Sequence, residues 1–113
     1  MELTGHGRGR IYSRTKMHPD DVLDVISGNA TVDLGVVDGG RYLLFYSPPD
    51  GDTKIAIVSE DVGRVVTILE GSYGVPEGVK RVTRKMKKEA HKLLQDFLFA
   101  RLKAKNRQSS GAA

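Results

Sequence analysis

The chain has 113 residues, 39% of them hydrophobic and 28% charged, with no cysteine; this suits one domain with a real core and excludes a disulfide framework, a thiol nucleophile and a thiolate zinc site. No apolar run reaches the ~18 residues that cross a bilayer, and no secretory-type apolar segment follows the first residues, so a cytoplasmic protein without membrane contact is expected. The net charge of +4 hides a separation: Lys and Arg number four against one acid in residues 1–16, three against ten in 17–70, and eleven against three in 71–113, which fits a polyanion partner or pairing between the chain's own acidic and basic parts.

Residues 1–9 are glycine-rich and polar and read as a flexible arm. Arg10 to Arg14 alternates enough for a first, edge strand. His18-Pro19-Asp20-Asp21 predicts a helix start: proline is tolerated at the first helical position, and acids suit the positive end of the helix dipole. Val22, Leu23, Val25 and Ile26 give that helix an apolar face, and Gly28-Asn29 stops it.

Four strands with short turns follow. Ala30–Val37 alternates; Asp38-Gly39-Gly40 is a hairpin turn; Arg41–Ser47 returns; Pro48–Asp52 turns again into Thr53–Ser59; Glu60–Gly63 leads to Arg64–Glu70. With each hairpin pairing its nearest flanking residues, Val32, Leu34, Leu43, Phe45, Ile55, Ile57, Val66 and Ile68 share an apolar face. The opposite, mixed face then carries Tyr42, Tyr46, Lys54 and Thr67 among other residues. After the loop 71–78, a long helix from about Val79 to Lys105 is expected. Its stripe is Val82, Met86, Ala90, Leu93, Phe97 and Ala100, with Leu94, Leu98, Phe99 and Leu102 widening the apolar surface near its end. Residues 106–113 read as a disordered tail, which leaves 10–105 as a single α+β domain: a short helix, a four-stranded antiparallel meander with an extra N-terminal edge strand, and a long helix on one sheet face.

No motif of high specificity is present. Asp20, Asp21 and Asp24 have the letters of a magnesium-diphosphate motif, but an enzyme of that type needs a larger helical cavity, and helix-start charge is the better account. Asp50-Gly51-Asp52 is too short for a calcium loop. His6, His18 and His91 share no metal-ligand spacing, and no cofactor fingerprint or nucleophile motif appears, so neither metal nor cofactor is expected. Two surfaces are candidates for a site. Arg81, Arg84, Lys85, Lys88 and Lys92 cluster on the far side of the long helix and could track phosphates, or simply be solvated. The mixed sheet face offers Tyr42 and Tyr46 for stacking and Lys54 for phosphate charge, with Arg64 at its rim and His18 nearby for proton transfer; ordinary cross-strand packing is the alternative.

In order and hydrophobic pattern, residues 10–70 resemble the small RelE/ParE-like domains of the barnase, EndoU, colicin and RelE ribonuclease grouping, as an uncharacterised branch of them. The carrying residues are Ser13-Arg14, Asp20-Asp21-Val22-Leu23, Arg41 to Tyr46, Ile55 to Val58 and Gly63 to Leu69. The resemblance implies an RNA- or ribosome-directed protein of toxin–antitoxin type and, if active, a metal-independent endoribonuclease. Lys54 and Arg64 would steady the phosphate, Tyr46 or His18 would move protons, and Tyr42 would stack a base. An antitoxin-like or other protein partner would go with it. Two departures stand beside it: the sheet is poor in basic residues, and the long basic C-terminal helix is foreign to many such toxins. They leave open a non-catalytic module that binds nucleic acid or an acidic protein through the basic helix, or a homo-oligomer built on the helix's apolar end.

Overall fold

The computed structural model describes residues 2–3, 14–59, 64–70 and 74–111. Its elements are β1 (Glu2–Leu3), α1 (Pro19–Ser27), β2 (Val32–Val37), β3 (Gly40–Ser47), β4 (Asp52–Ser59), β5 (Arg64–Glu70) and α2 (Arg84–Gly111). The strands form one sheet in the order β1-β5-β4-β3-β2. β2 to β5 are the expected antiparallel meander, and β1 pairs in parallel with β5. The fold is therefore α+β, with a short helix, a four-stranded antiparallel sheet and a long C-terminal helix. An N-terminal edge strand exists at Glu2–Leu3, within the segment expected to be an arm. Of the expected strand at 10–14 only Arg14 is described, and it is helical; Arg10 to Ser13 lie outside the described residues.

α1 begins as its sequence dictates. His18 is extended, and its Nδ1 accepts the backbone N–H of Asp20 at 3.1 Å, so an imidazole fills the capping role that a serine or aspartate usually takes. Val22, Val25 and Ile26 are buried on the sheet side.

Register decides what the sheet's faces do. The turn between β3 and β4 holds four residues, Pro48 to Gly51, because the Gly51 N–H reaches back to the Ser47 carbonyl at 2.9 Å and Ser47 pairs with Asp52. A five-residue turn ending at Asp52 was the expectation. The difference of one residue sets Leu43 opposite Ala56 and Leu44 opposite Ile55, and a shift of one residue moves every side chain to the other face. The expected grouping of Leu43 and Phe45 with Ile55 and Ile57 is thus corrected. Leu43, Phe45, Ala56, Val58, Val65 and Ile68 form one buried cluster, closed by Met17, α1, Ala30 and Leu94. Leu34, Leu44 and Ile55 form the other, with Tyr42 and Leu69 alongside, closed by Val79, Val82, Met86 and Ala90. Both faces are core, and no open mixed face exists among the described residues.

β2 reaches the second cluster through a bulge. Asp33 Oδ1 accepts the Gly35 N–H at 2.9 Å, and the ladder shifts register between these residues. Gly35 has φ +123°, and a Cβ there would lie 3.1 Å from the Gly78 carbonyl oxygen; a side chain would push the covering loop off the sheet. Lys80 N–H, bonded to the Leu34 carbonyl at 2.8 Å, ties that loop to β2.

α2 starts later and ends later than its periodicity suggests. Thr83 caps it, its Oγ1 accepting the Met86 N–H at 3.2 Å and its carbonyl the Lys87 N–H at 3.1 Å. From there the helix runs to Gly111, through part of the expected tail. Ala90 belongs to the cluster on one sheet face and Leu94, one turn on, to the cluster on the other. The helix therefore rounds the corner where β2 has not yet begun to pair with β3, whose ladder partner for Leu44 is Val32.

Candidate nucleic-acid interface

A helix turns 100° per residue, so the burial of Ala90 and Leu94, with Met86, Leu93 and Phe97 half-buried beside them, fixes which way α2 faces. The opposite side carries Arg84, Lys85, Lys88 and Lys92, all exposed, and Arg81 is exposed just before the helix. Steps of four residues set Arg84, Lys88 and Lys92 about 6 Å apart along the axis. None of these five cations forms an ion pair with a described residue.

The cations that do pair with the domain lie elsewhere on the same helix. Lys87 Nζ stands 3.7 Å from Asp52 Oδ1, and Arg101 Nη1 stands 3.2 Å from Asp24 Oδ2. Pairing between the acidic and basic parts of the chain thus takes up two helix cations and leaves the outward row to solvent. Asp24, one turn beyond the helix-start acids Asp20 and Asp21, is engaged in this way.

The residues expected to form a site on the sheet are not brought together. Tyr42 packs, half-buried, against the second cluster. Tyr46 stacks on His91 of α2, ring centroids 4.0 Å apart and planes 23° from parallel, with Gln95 Nε2 3.4 Å from His91 Nε2. That ring is a lid contact and not an open platform. Lys54 lies opposite Phe45 in the ladder, whereas Tyr46 lies opposite Thr53, so Lys54 and Tyr46 project from opposite faces. His18 is occupied as a helix cap. Arg64 opens β5 beside Glu2 of β1, and its side chain lies outside the described residues. Among the described residues no three His, Asp or Glu side chains gather as a metal site.

Two features escaped the sequence reading. The first is a knot around Asp50, whose carboxylate accepts the Ser47 hydroxyl at 2.5 Å, the Lys16 N–H at 3.1 and 3.3 Å, and the Thr15 hydroxyl. Burial pushes the Asp50 carboxyl up, but the hydrogen bonds from Ser47, Thr15 and Lys16, with the charge of Lys54, outweigh it and hold the group below the usual carboxylate value. The Ser-Pro-Pro-Asp turn is thereby stapled to the segment that leads into α1. In the sequence Asp50 signals only a turn, because its partners Thr15 and Lys16 are far away along the chain.

The second is a groove of about 420 Å³ between the start of α1, the Pro48-Pro49 turn and the stretch of α2 from Leu94 to Arg101. The exposed apolar residues of α2, Leu98 at 45%, Phe99 at 69% and Leu102 at 57%, begin at its lip. The breadth of the apolar surface there is visible in the sequence, but the groove needs three separate segments.

No protein-family model matches this chain, and no similar curated protein or solved structure was found.

Proposed function

We propose that the chain is a non-catalytic binding module that holds a nucleic-acid backbone, RNA first, against the outer face of α2. The observation that carries this reading is the row Arg84, Lys85, Lys88 and Lys92. It is exposed and unpaired among the described residues, on a helix whose other cations at 87 and 101 are taken up by the domain's own acids. Charges left unneutralised on one rigid face are suited to displacing counterions from phosphates, and a helix holds them in register without further ordering. Arg81 and Lys80 extend the field at the N-terminal end of the row. The dispersal of Tyr46, Lys54 and His18 supports binding without chemistry. RNA is chosen over other polyanions on the resemblance of the sequence pattern of residues 10–70 to RelE-like domains.

The test is a salt titration. Neutralising about four phosphates predicts a slope of log affinity against log salt near −3 for single strands and near −4 for a duplex. A labelled RNA oligonucleotide followed by fluorescence anisotropy reads both affinity and slope. The combined Arg84→Glu, Lys85→Glu and Lys88→Glu variant is expected to weaken binding at least tenfold, about 1.4 kcal/mol or more. It should also flatten the slope by about 2 to 3, with an unchanged circular dichroism spectrum. Unaltered affinity in that variant, or a slope near zero in the parent, would remove the basic row from the function.

A further inference from the structure

The outward face of α2 continues past the last lysine of its basic row. A helix advances about 100° per residue, so with Arg84 as the origin the inward residues Met86, Ala90 and Leu94 fall between about 200° and about 280°. The basic row fills the other side, with Lys88 at about 40°, Lys92 at about 80° and Lys85 at about 100°. Phe99 falls at about 60°, in the middle of that row, and is 69% exposed. Lys103, also exposed, returns to the line of Lys85 about five turns on. The acids of the stretch, Glu89 and Asp96, lie past the row's edge at about 140° and about 120°, and Arg101, paired with Asp24, lies on the inward side at about 260°. One face thus holds Arg84, Lys85, Lys88, Lys92 and Lys103, none of them in an ion pair with a described residue, and one uncovered aromatic ring.

That ring is set apart from the other apolar surface. Phe45 is fully buried, Phe97 packs half-buried against the first cluster, and the groove is lined on the helix side by Leu94, Phe97, Leu98 and Arg101. Leu98 falls about 100° away from Phe99, so Phe99 belongs to the basic face and not to the groove. Along the axis Phe99 stands about 10 Å beyond Lys92, and Lys103 about 6 Å beyond Phe99. A strand whose phosphates lie on Arg84 to Lys92 reaches the ring within a few nucleotides. Proteins that hold single strands combine these two elements, cations that follow the backbone and an aromatic face on which an unpaired base stacks. In a duplex each base is already stacked on its neighbours, and the ring would stay idle.

We propose that Phe99 is the base-stacking residue of this face, and that the ligand held there is single-stranded RNA with an unpaired base against the ring. The proposal rests on the nucleic-acid reading of the basic row and adds the strandedness of its ligand. Anisotropy with the full chain compares three labelled probes: an RNA single strand of about 8 nucleotides, a ribose-phosphate strand of the same length without bases, and an RNA duplex. Phe99→Ala is expected to weaken the single strand by about fivefold or more. The salt slope should stay at its parent value, since no phosphate contact is lost. Phe99→Tyr keeps a stacking face and should keep the parent affinity, and neither variant should alter binding of the base-free strand or the duplex. The ring is exposed, so circular dichroism should not change. Parent-like affinity of Phe99→Ala for the single strand, with the salt slope intact, overturns the proposal and leaves the basic row standing. Loss of all salt-dependent binding in the parent removes both. An equal loss on all three probes also overturns the proposal, since Phe99 would then act through the helix and not on a base. So does a dimer in sedimentation that Phe99→Ala abolishes, because a second copy would occupy the ring.

Discussion

The two halves of α2 use one helix in opposite ways. From Arg84 to Phe97 the inward residues close both sheet clusters and the outward residues are charged, the ordinary division of a surface helix. From Leu98 onward apolar side chains stand in solvent, and the one described tie back to the domain is Arg101 to Asp24. The first half belongs to the fold. The second half adds little to it and is therefore available for something else. The contrast teaches that apolar content alone did not distinguish them: Leu94 is 2% exposed and Leu102 is 57% exposed, although both carry the same side chain.

That contrast gives the largest expected effect. Leu94→Ala removes a buried side chain at the junction of α1, β3 and α2 and should cost about 2–5 kcal/mol. Leu102→Ala should stay within about 0.5 kcal/mol. Urea denaturation of the two variants compares them directly. A similar loss in both would mean that the protruding half is packed against the domain after all, and the division between the halves would fall.

Much of the fold was legible because its signals are local. His18-Pro19-Asp20-Asp21 places a helix start, Asp38-Gly39-Gly40 places a hairpin, although Gly40 already belongs to the return strand opposite Val37, and alternation from Val32 onward places strands. The faces were not legible. Pro48-Pro49-Asp50-Gly51-Asp52 is compatible with a turn of four residues or five, and the choice is made by hydrogen bonds to Ser47 that the letters do not display. That one residue carried the expected site with it, since Tyr46 and Lys54 were grouped on one open face by a register the chain does not adopt. The grouping of Arg84, Lys85, Lys88 and Lys92 on one helix face is legible because helical spacing depends on no long-range pairing. The groove was invisible because Met17, Pro48 and Leu94 meet only once the three segments that carry them are packed.

The Asp50 knot sharpens the comparison from the groove's side. It holds the Pro48-Pro49 turn against the segment Thr15 to Met17, whose Lys16 and Met17 line the groove together with that turn and the start of α1. Asp50→Asn keeps the shape but loses the charge-assisted hydrogen bonds, and at pH 7 it should cost about 1.5–3 kcal/mol, the range for bonds to a charged group. Because the folded-state value of this carboxyl is lowered, its contribution is fully present above the unfolded value near 3.9 and fades as pH falls through the folded value. The stability gap between parent and variant should therefore be constant from pH 7 to about 5 and close below about 4. A gap that did not narrow as the pH fell below about 4 would assign the loss to packing and not to the carboxylate.

The smallest effect concerns the other end of α2, where the helix joins the fold. Val79, Val82 and Met86 continue the helical spacing backwards, yet the helix begins at Arg84 because Thr83 satisfies the Met86 N–H with its hydroxyl and Lys80 spends its own N–H on β2. Thr83→Ala removes that cap and should cost about 1 kcal/mol, read as a shift in the denaturation midpoint. The row at Arg84, Lys85 and Lys88 sits in the first turns after the cap, where positive side chains face the positive end of the helix dipole. Fraying there should loosen the RNA contact, by roughly twofold to fivefold. Thr83→Ser restores the hydroxyl and should restore both readings. An alanine variant with lowered stability but intact RNA affinity would show that the row acts as loose charge and needs no fixed helical spacing, which would leave the basic half of the comparison with a sign and without a geometry.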